Sequence, residues 1–134
     1  MAKLEKLALI LIGLIAGIVL IFLGKPQVGD NASKITLIIE GKEYALLKAE
    51  TSLEKMRGLS GITELKNADG MIFYFKPAQK VSFWNKNTHF DLELIWMKDS
   101  RVVGRDFLPS EERTGLVIKN SPVEVDWVVE LIKS

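Results

Sequence analysis

Apolar residues follow two different patterns along this chain. Residues 7–23 form one uninterrupted apolar run, whereas from residue 35 onward short apolar stretches alternate with polar residues and turns. As a helix, the first run would cover roughly 26 Å, close to the hydrocarbon thickness of a bilayer. Alternation with a period of two indicates half-buried strands. The pattern therefore divides the chain into an apolar segment (1–24), a polar linker (25–34) and a mainly β domain (35–134).

The flanks of residues 7–23 leave two interpretations, an uncleaved membrane anchor and a cleaved signal peptide. A signal peptide has an apolar core of about 7–15 residues, followed by small residues at its cleavage site. The run here is longer, and Gly24-Lys25-Pro26, which follows it, lacks an Ala-x-Ala-like pattern. We therefore predict a single-pass transmembrane anchor, with the cleaved signal peptide as the alternative.

Charges around the same run predict its orientation. Lys3, Lys6 and the terminal amine favour a cytoplasmic N-terminus, which places residues 35–134 outside the cytoplasm. Gly13 and Gly17 have the small-xxx-small spacing that lets two membrane helices approach closely. The sequence thus predicts a cell-membrane protein that contacts the bilayer through residues 7–23, with weak helix dimerisation through the two glycines as a further expectation.

The domain from residue 35 onward is predicted to contain seven short strands and close turns. The predicted strands cover residues 35–40, 43–48, 71–75, 80–84, 91–97, 101–107 and 123–132. Gly41-Lys42, between the first two β-branched runs, predicts a turn that joins them as a hairpin. The last run is ambiguous between strand and helix, and its valines favour a strand. Pro77 is expected to end the third strand, and residues 108–114 are expected to form a loop. We expect a small antiparallel barrel or sandwich-like sheet, because a flat sheet would leave long apolar edges exposed.

One short helix is predicted between the second and third strands. Thr51 and Glu54 have the spacing of a capping box, in which each residue satisfies a free backbone N–H of the other. Leu53 and Met56 lie on one face of such a helix, and Gly58 suits its C-terminus. The domain is therefore mainly β with a minor helical part, an α+β composition.

Residues 70–97 are the densest aromatic part of the chain, with seven of its eleven aromatic residues. Strand-like runs on both sides enclose a polar island at residues 85–89. Burial of the rings is expected to fix the core, since aromatic side chains remove the largest apolar areas from water. The polar island is where we expect a functional site.

Composition excludes several classes of chemistry. The chain has no cysteine, which excludes disulfides, thiolate catalysis and cysteine zinc sites. Residues 35–134 carry 14 Lys and Arg against 15 Asp and Glu, a net charge of −1 with His89 neutral. Such a balance argues against a nucleic-acid surface, which shows a basic excess. His89 is the single histidine, with only Asp91 near it in sequence, so we predict no metal and no cofactor.

Five residues are candidates for a ligand-binding site. Trp84 offers an aromatic platform beside the amide of Asn87 and the hydroxyl of Thr88, a set that suits polar, ring-shaped ligands such as sugars. Arg57, at the predicted helix end, has the chemistry to bind an anionic ligand or to pair with Asp91. The structural alternatives stay open: Trp84 in the core, Asn87 and Thr88 in a bend, and Arg57 tying the helix to the sheet.

A catalytic alternative rests on two carboxylates. Asp91 and Glu93 alternate onto one face of a predicted strand, roughly 7 Å apart, with Leu92 and Leu94 pointing inward. That separation lies in the range of an inverting glycosidase pair, although the solvated face of an amphipathic strand has the same pattern. The leading hypothesis is an extracytoplasmic binding or interaction domain for a polar or carbohydrate ligand or an envelope protein. A carbohydrate-active hydrolase using Asp91 and Glu93 is the alternative.

Several short motifs, taken in order, resemble those of one known family. They are Ala49-Glu50-Thr51, Arg57-Gly58-Leu59, Gly70-Met71-Ile72-Phe73-Tyr74-Phe75, Phe83-Trp84, Asn87-Thr88, Asp91-Leu92 and Val129-Glu130-Leu131. In order and spacing the chain resembles the DUF192 family (ACR, COG1430) of small prokaryotic domains, from about residue 37 to residue 131. The resemblance implies a compact, mostly β fold and implies little about chemistry.

The chain departs from the family pattern beside two of these motifs. Ser60 and Asn85 stand where a methionine commonly follows the Gly-Leu and the Phe-Trp pairs. Both departures replace an apolar group by a polar one. We therefore expect a more polar local surface at these two positions.

Overall fold

The structure is a computed structural model that describes residues 33–134. The predictions for residues 7–23, including the anchor and the contact through Gly13 and Gly17, lie outside the described residues. Within residues 33–134, no helix has the length and apolar character needed to cross a membrane.

Eight strands and two short helices form the described part of the chain. In order they are β1 (Lys34–Ile39), β2 (Lys42–Ala49), α1 (Ser52–Arg57), β3 (Gly70–Gln79), β4 (Ser82–Trp84), β5 (Leu92–Lys98), β6 (Arg101–Leu108), α2 (Glu111–Thr114), β7 (Ile118–Asn120) and β8 (Val125–Ile132). The mainly β prediction is confirmed, and so is the choice of a strand for the last element.

The strands form a six-stranded sheet in the order β1-β2-β3-β8-β5-β6 and a two-stranded sheet of β4 and β7. All neighbours are antiparallel except β2 and β3, which are parallel. A parallel pair needs a crossover connection, and residues 50–69, which contain α1, supply it. The expectation of a purely antiparallel sheet was therefore wrong at this one pair.

The large sheet is open, so of the two predicted forms, a barrel or a sandwich-like sheet, the barrel was wrong. Its edge strands β1 and β6 share no backbone pairing in the described structure. Their ends are nevertheless joined by an ion pair, in which the Arg105 guanidinium of β6 lies 2.6 Å from the carboxylate of Glu40 in the β1–β2 turn. The sheet curls enough for side chains, but not backbones, to meet across its two edges.

Apolar side chains are buried on both faces of the large sheet. One cluster, on what we call the first face, is centred on Phe73, Leu94, Trp96 and Val128. The second face carries a separate cluster made of the residues that alternate with these, namely Ile72, Ile95, Met97, Val129 and Leu131. Because both faces are covered, residues 94–97 of β5 and 127–129 of β8 are continuous apolar stretches instead of alternating ones.

Local differences from the predicted elements have identifiable causes. Pro77 does not end the third strand, which continues to Gln79 through an irregular stretch after Tyr74 where the pairing with β8 shifts. Proline is tolerated in such a stretch because no ladder hydrogen bond is required from its nitrogen. Residues 108–114 contain the short helix α2, and β7 lies in a stretch where no strand was predicted. Three residues carry too little periodicity to be detected.

The capping-box prediction for α1 is confirmed. The backbone N–H of Glu54 donates to the Thr51 hydroxyl at 3.1 Å, and the Glu54 carboxylate accepts from the Thr51 N–H at 2.9 Å. The hydrogen bond from the Thr51 N–H and a second one from the Glu50 N–H lower the pKa of the Glu54 carboxyl. The cap fixes the start of α1, and thereby the position of its C-terminal residues at the site described next.

Candidate functional site

A groove of about 450 Å³ opens between α1 and β4, above the first face of the large sheet. The residues that line it are Lys55, Met56, Arg57, Gly58, Phe73, Phe75, Val81, Ser82, Phe83, Trp84, Ile118 and Glu130. We call it the α1–β4 groove. Most of its surface is apolar, and its volume is in the range of pockets that hold small ligands.

Aromatic rings form the apolar part of the groove. Phe83 contacts Phe73 edge to face at a centroid distance of 4.9 Å and Trp96 at 5.7 Å, so β4 is anchored on the sheet. Trp84, the next residue on β4, faces the other way and is 45% exposed. This alternation makes Phe83 a core residue and leaves the Trp84 ring available at the groove.

Glu130 is a carboxylic acid buried among these apolar groups. It lies on the central strand β8, opposite Met71 of β3 and Leu94 of β5, and is only 4% exposed. Its Oε2 atom is buried without a hydrogen-bond partner. Burial raises the pKa of Glu130 to about 8, against a smaller lowering by the backbone N–H of Leu59. The carboxyl group is therefore mostly protonated and neutral at neutral pH.

Gly58 lies directly over this carboxyl group. Its backbone has φ of 53° and ψ of −131°, a conformation that residues with a Cβ rarely adopt. A Cβ built on Gly58 would lie 3.2 Å from Oε2 of Glu130 and 3.3 Å from the Phe73 ring. Because Gly58 has no side chain, the space above the Glu130 carboxyl group stays free.

Arg57 supplies a second polar group without a partner. Its Nη2 atom is buried and makes no hydrogen bond, while its Nε donates to the carbonyl of Ser60 at a long 3.5 Å. Burial lowers the pKa of the guanidinium, but Arg57 remains charged because its ordinary pKa is so high. A half-buried cation and a buried acid, each with one buried atom that has no hydrogen-bond partner, therefore line the same groove.

Two lysines add positive charge near the groove. The ammonium group of Lys55 lies 5.7 Å from the centre of the Phe75 ring, and that of Lys86 lies 5.3 Å from the centre of the Trp84 ring. Glu130 is the only acidic residue among those that line the groove. With Glu130 neutral, the charged groups of the lining are all positive.

Two of the five predicted site residues, Arg57 and Trp84, line the groove. Asn87, Thr88 and Asp91 are not among its lining residues. Asn87 has a left-handed backbone (φ 53°), and its N–H donates to the Glu111 carboxylate at 2.5 Å. Thr88 is 4% exposed, and its carbonyl accepts from the N–H of Glu111. These two residues connect the polar island to α2.

The two candidate carboxylates of the hydrolase alternative bind different partners. Asp91 accepts from the N–H of Ser110 and from Arg113, and these hydrogen bonds, the first in particular, lower its pKa. Burial raises the pKa of Glu93, but its contacts with Lys133 and Arg105 outweigh that effect and lower it overall. Both groups are thus ionised, whereas an acid–base pair needs one carboxyl group that stays protonated.

The expectation of a more polar surface at Asn85 was wrong, because the Asn85 side chain is fully buried. The Asn85 amide donates to the carbonyls of Pro109 and Gly115 and accepts from the N–H of Val117. Buried amides are stable only when their hydrogen bonds are made, as they are here. Asn85 therefore joins β4 to the segment between α2 and β7.

The polar residue that the site-residue prediction missed is Glu130. Its sequence signal is a single acidic residue inside the apolar run Val128-Val129-Glu130-Leu131-Ile132. A strand covered on both faces has no solvated side for a carboxylate, so this acid must be buried. That inference needs the central position of β8 in the sheet, which the sequence does not reveal.

Comparison with known proteins is consistent with this architecture. Residues 35–133 match the sequence profile of DUF192 (Uncharacterized ACR, COG1430). The chain belongs to the DUF192 family. No functionally curated protein matches it.

Two crystal structures resemble this DUF192 domain. One is of a candidate transcription regulator from Sinorhizobium meliloti 1021, with 21% identity and a TM-score of 0.63, covering 80% of this chain and 84% of that one. The other is of a protein of unknown function from Novosphingobium aromaticivorans DSM 12444, with 23% identity and a TM-score of 0.58, covering 83% and 89%. At these identities the similarity shows a shared fold and nothing about activity.

Proposed function

We propose that this DUF192 domain is a binding domain without catalytic activity, and that its ligand occupies the α1–β4 groove. One observation carries the proposal: two residues that line an apolar groove, Arg57 and Glu130, each have a buried side-chain atom without a hydrogen-bond partner. A buried polar group without a partner costs free energy, about 1–3 kcal/mol for a neutral group. A ligand that supplies the missing hydrogen bonds offsets that cost.

The lining defines the class of ligand. Phe75 and the half-exposed Trp84 offer ring faces for stacking, while Arg57 and Glu130 offer hydrogen bonds. A compact ligand with a ring-shaped body and one polar end satisfies both parts, and an aromatic glycoside is one such compound. The site therefore combines Arg57 and Trp84 of the predicted set with Glu130, and does not need Asn87, Thr88 or Asp91.

Substitution of Trp84 tests this proposal. A library of ring-bearing small molecules is screened against the full-length chain by saturation-transfer NMR, and each hit is titrated. Trp84→Ala is expected to weaken binding of the hits roughly tenfold, since stacking and lost apolar contact together contribute about 1.4 kcal/mol. The unfolding temperatures of the wild type and the variant are compared, so that a loss of binding is not attributed to the site when the variant is unfolded.

Phe107 provides a matched control for that experiment. It is 47% exposed, and the Arg113 guanidinium lies 5.8 Å from the centre of its ring, so its setting copies that of Trp84 beside Lys86. Phe107 does not line the groove. Phe107→Ala is therefore expected to leave binding unchanged. Equal losses in the two variants, or none in either, would show that the groove is not the binding site.

The hydrolase alternative gains no support from the contacts of Asp91 and Glu93. Each carboxylate is held by its own cationic partners, and the acid that stays protonated in this domain is Glu130. A binding role for the groove requires no acid–base pair. We therefore propose binding alone.

We also propose that residues 7–23 anchor the domain in the cell membrane, with residues 35–134 outside the cytoplasm. The support is the uninterrupted apolar run and its basic N-terminal flank. After expression, the full-length chain is expected to resist alkaline carbonate extraction, and its C-terminal domain to be digested by protease added to intact spheroplasts. A soluble product whose mass lacks residues 1–24 would instead establish a cleaved signal peptide.

A further inference from the structure

We infer that the ligand of the α1–β4 groove is an organic anion, a compound with an apolar body and a carboxylate that Arg57 binds and to which Glu130 donates a hydrogen bond. This inference rests on the proposed function, because it assigns a chemical class to the ligand of that same groove. The description of the family and the names of the two similar structures mention no ligand.

Charge complementarity is the first argument. The ionisable side chains of the lining are Lys55 and Arg57 of α1, which are cations, and Glu130 of β8, which is neutral; β3, β4 and β7 contribute only apolar residues and Ser82. Lys86 adds a further cation above Trp84. A cationic ligand would meet these groups as a like charge in a partly desolvated site, where repulsion is strong. An anion is attracted by all three cations.

The two unpaired atoms are the second argument. Nη2 of Arg57 has only hydrogen atoms to offer, so its partner must be an acceptor. Glu130 in its neutral form carries one O–H, whose proton also requires an acceptor. A carboxylate has two oxygens that accept hydrogen bonds, and charge-assisted bonds of this kind are roughly twice as strong as neutral ones. A primary amine in its charged form supplies no acceptor to either group.

The same arrangement makes anion binding dependent on pH. The neutral form of Glu130 donates a hydrogen bond, whereas its ionised form would repel a bound carboxylate. Because burial holds the pKa of Glu130 at about 8, the donor form is depleted about tenfold at pH 9. The other charged groups that face or flank the groove are Lys55, Arg57 and Lys86.

Three compounds with one shared body test the inference. These are 4-phenylbutanoate, 4-phenylbutanamide and 4-phenylbutylamine, which differ only in an anionic, neutral or cationic head. Their dissociation constants for the full-length chain are measured by ligand-observed NMR at pH 6.5. The butanoate is expected to bind at least tenfold more tightly than the amide, and the amine most weakly. At pH 9 binding of the butanoate is expected to weaken about tenfold.

Two variants assign the preference to named residues. Arg57→Gln is expected to reduce butanoate binding to the level of the amide, whereas Arg101→Gln, a matched change at an exposed site outside the groove, leaves it unchanged. Glu130→Gln retains a donor, since its side-chain amide carries N–H groups at every pH. That variant is expected to bind the butanoate with the same affinity at pH 6.5 and at pH 9, because its donor does not titrate.

The outcomes separate this inference from the proposed function. Equal affinity for the butanoate and the amide, or tighter binding of the amine, overturns the anion inference while the Trp84 dependence of binding still supports the groove. Binding of none of the three compounds also overturns it, and the library screen then decides the groove independently. Circular dichroism at each pH verifies that the wild type and variants are folded. Butanoate binding by the wild type at pH 6.5 and pH 9 tests the inference even if a variant does not fold.

Discussion

Raising the pH from 6 to 9 is expected to lower the free energy of unfolding of the wild-type domain by about 3 kcal/mol through Glu130 alone. The folded-state pKa of Glu130 is about 8, against an ordinary value of 4.5. Between these values the folded state holds a proton that the unfolded state has released, so stability falls as the pH rises and levels off above pH 8. The difference of about 3.5 pKa units corresponds to a full effect of about 5 kcal/mol.

The variant Glu130→Gln is expected to lack this loss. Its side chain is neutral at both pH values and nearly isosteric, so the variant should exceed the wild type in stability at pH 9. Urea-induced unfolding at pH 6, 7, 8 and 9, followed by circular dichroism, measures both slopes. The predicted quantity is the difference between the wild type and Glu130→Gln in the slope of unfolding free energy against pH. The other titrating groups contribute equally to both slopes, so their contributions cancel.

Glu93→Gln is the control for the Glu130 experiment. Contacts with Lys133 and Arg105 outweigh the effect of burial and lower the pKa of Glu93, so its contribution to stability is lost toward acidic pH. The Glu93 variant is therefore expected to retain the wild-type decrease between pH 6 and 9. Parallel slopes for wild type and Glu130→Gln would show that Glu130 is not a buried neutral acid, and would remove the basis of its role as a donor.

Gly70→Ala is expected to destabilise the domain by about 3 kcal/mol or more. A Cβ on Gly70 would lie 1.8 Å from the carbonyl oxygen of Glu130 and 3.1 Å from the Cα of Leu131. Both atoms belong to the backbone of β8, which pairs with β3 and β5 at the centre of the sheet and cannot move without breaking that pairing. Overpacking of this kind costs about 1–3 kcal/mol even where only side chains must move.

Gly41→Ala separates this clash from the effect of backbone conformation. Gly41, in the β1–β2 turn, has φ of +82° but nothing within 4 Å of an added Cβ. Its substitution carries only the strain of a positive φ, about 1–2 kcal/mol. Urea unfolding of both variants at pH 7 measures the two losses. If Gly41→Ala destabilises the domain as much as Gly70→Ala, the close approach of β3 and β8 is not the reason that position 70 requires glycine.

Local sequence signals predicted the local structure well. Gly41-Lys42 between two β-branched runs predicted the β1–β2 hairpin, and Thr51 with Glu54 predicted the capped helix. These features depend on interactions between residues close in sequence, whose energies act whatever the rest of the chain does. The strand β7 and the helix α2 were missed because three or four residues show too little periodicity.

The candidate site was predicted only in part, for a physical reason. Trp84 and Arg57 were predicted as site residues because an aromatic ring can stack on a ligand and a guanidinium group can bind an anion. Asn87, Thr88 and Asp91 also have side chains suited to ligand binding, but these residues form hydrogen bonds with α2 and the residue before it. Whether a polar side chain is satisfied by the protein or left for a ligand depends on which distant segment packs against it.

Periodicity, turn chemistry and motif order, which lie in short stretches of sequence, were enough to predict the mainly β class, the hairpin, the capped helix, the aromatic core and the family. The open sheet, the parallel pair of β2 and β3 and the central position of β8 depend on contacts between distant segments, so they are visible only in the folded structure. The central position of β8 removes Glu130 from water and sets it beneath Gly58, within a groove also lined by Arg57. Burial is a property of the packed fold, so the chemistry of this carboxyl group exists only there.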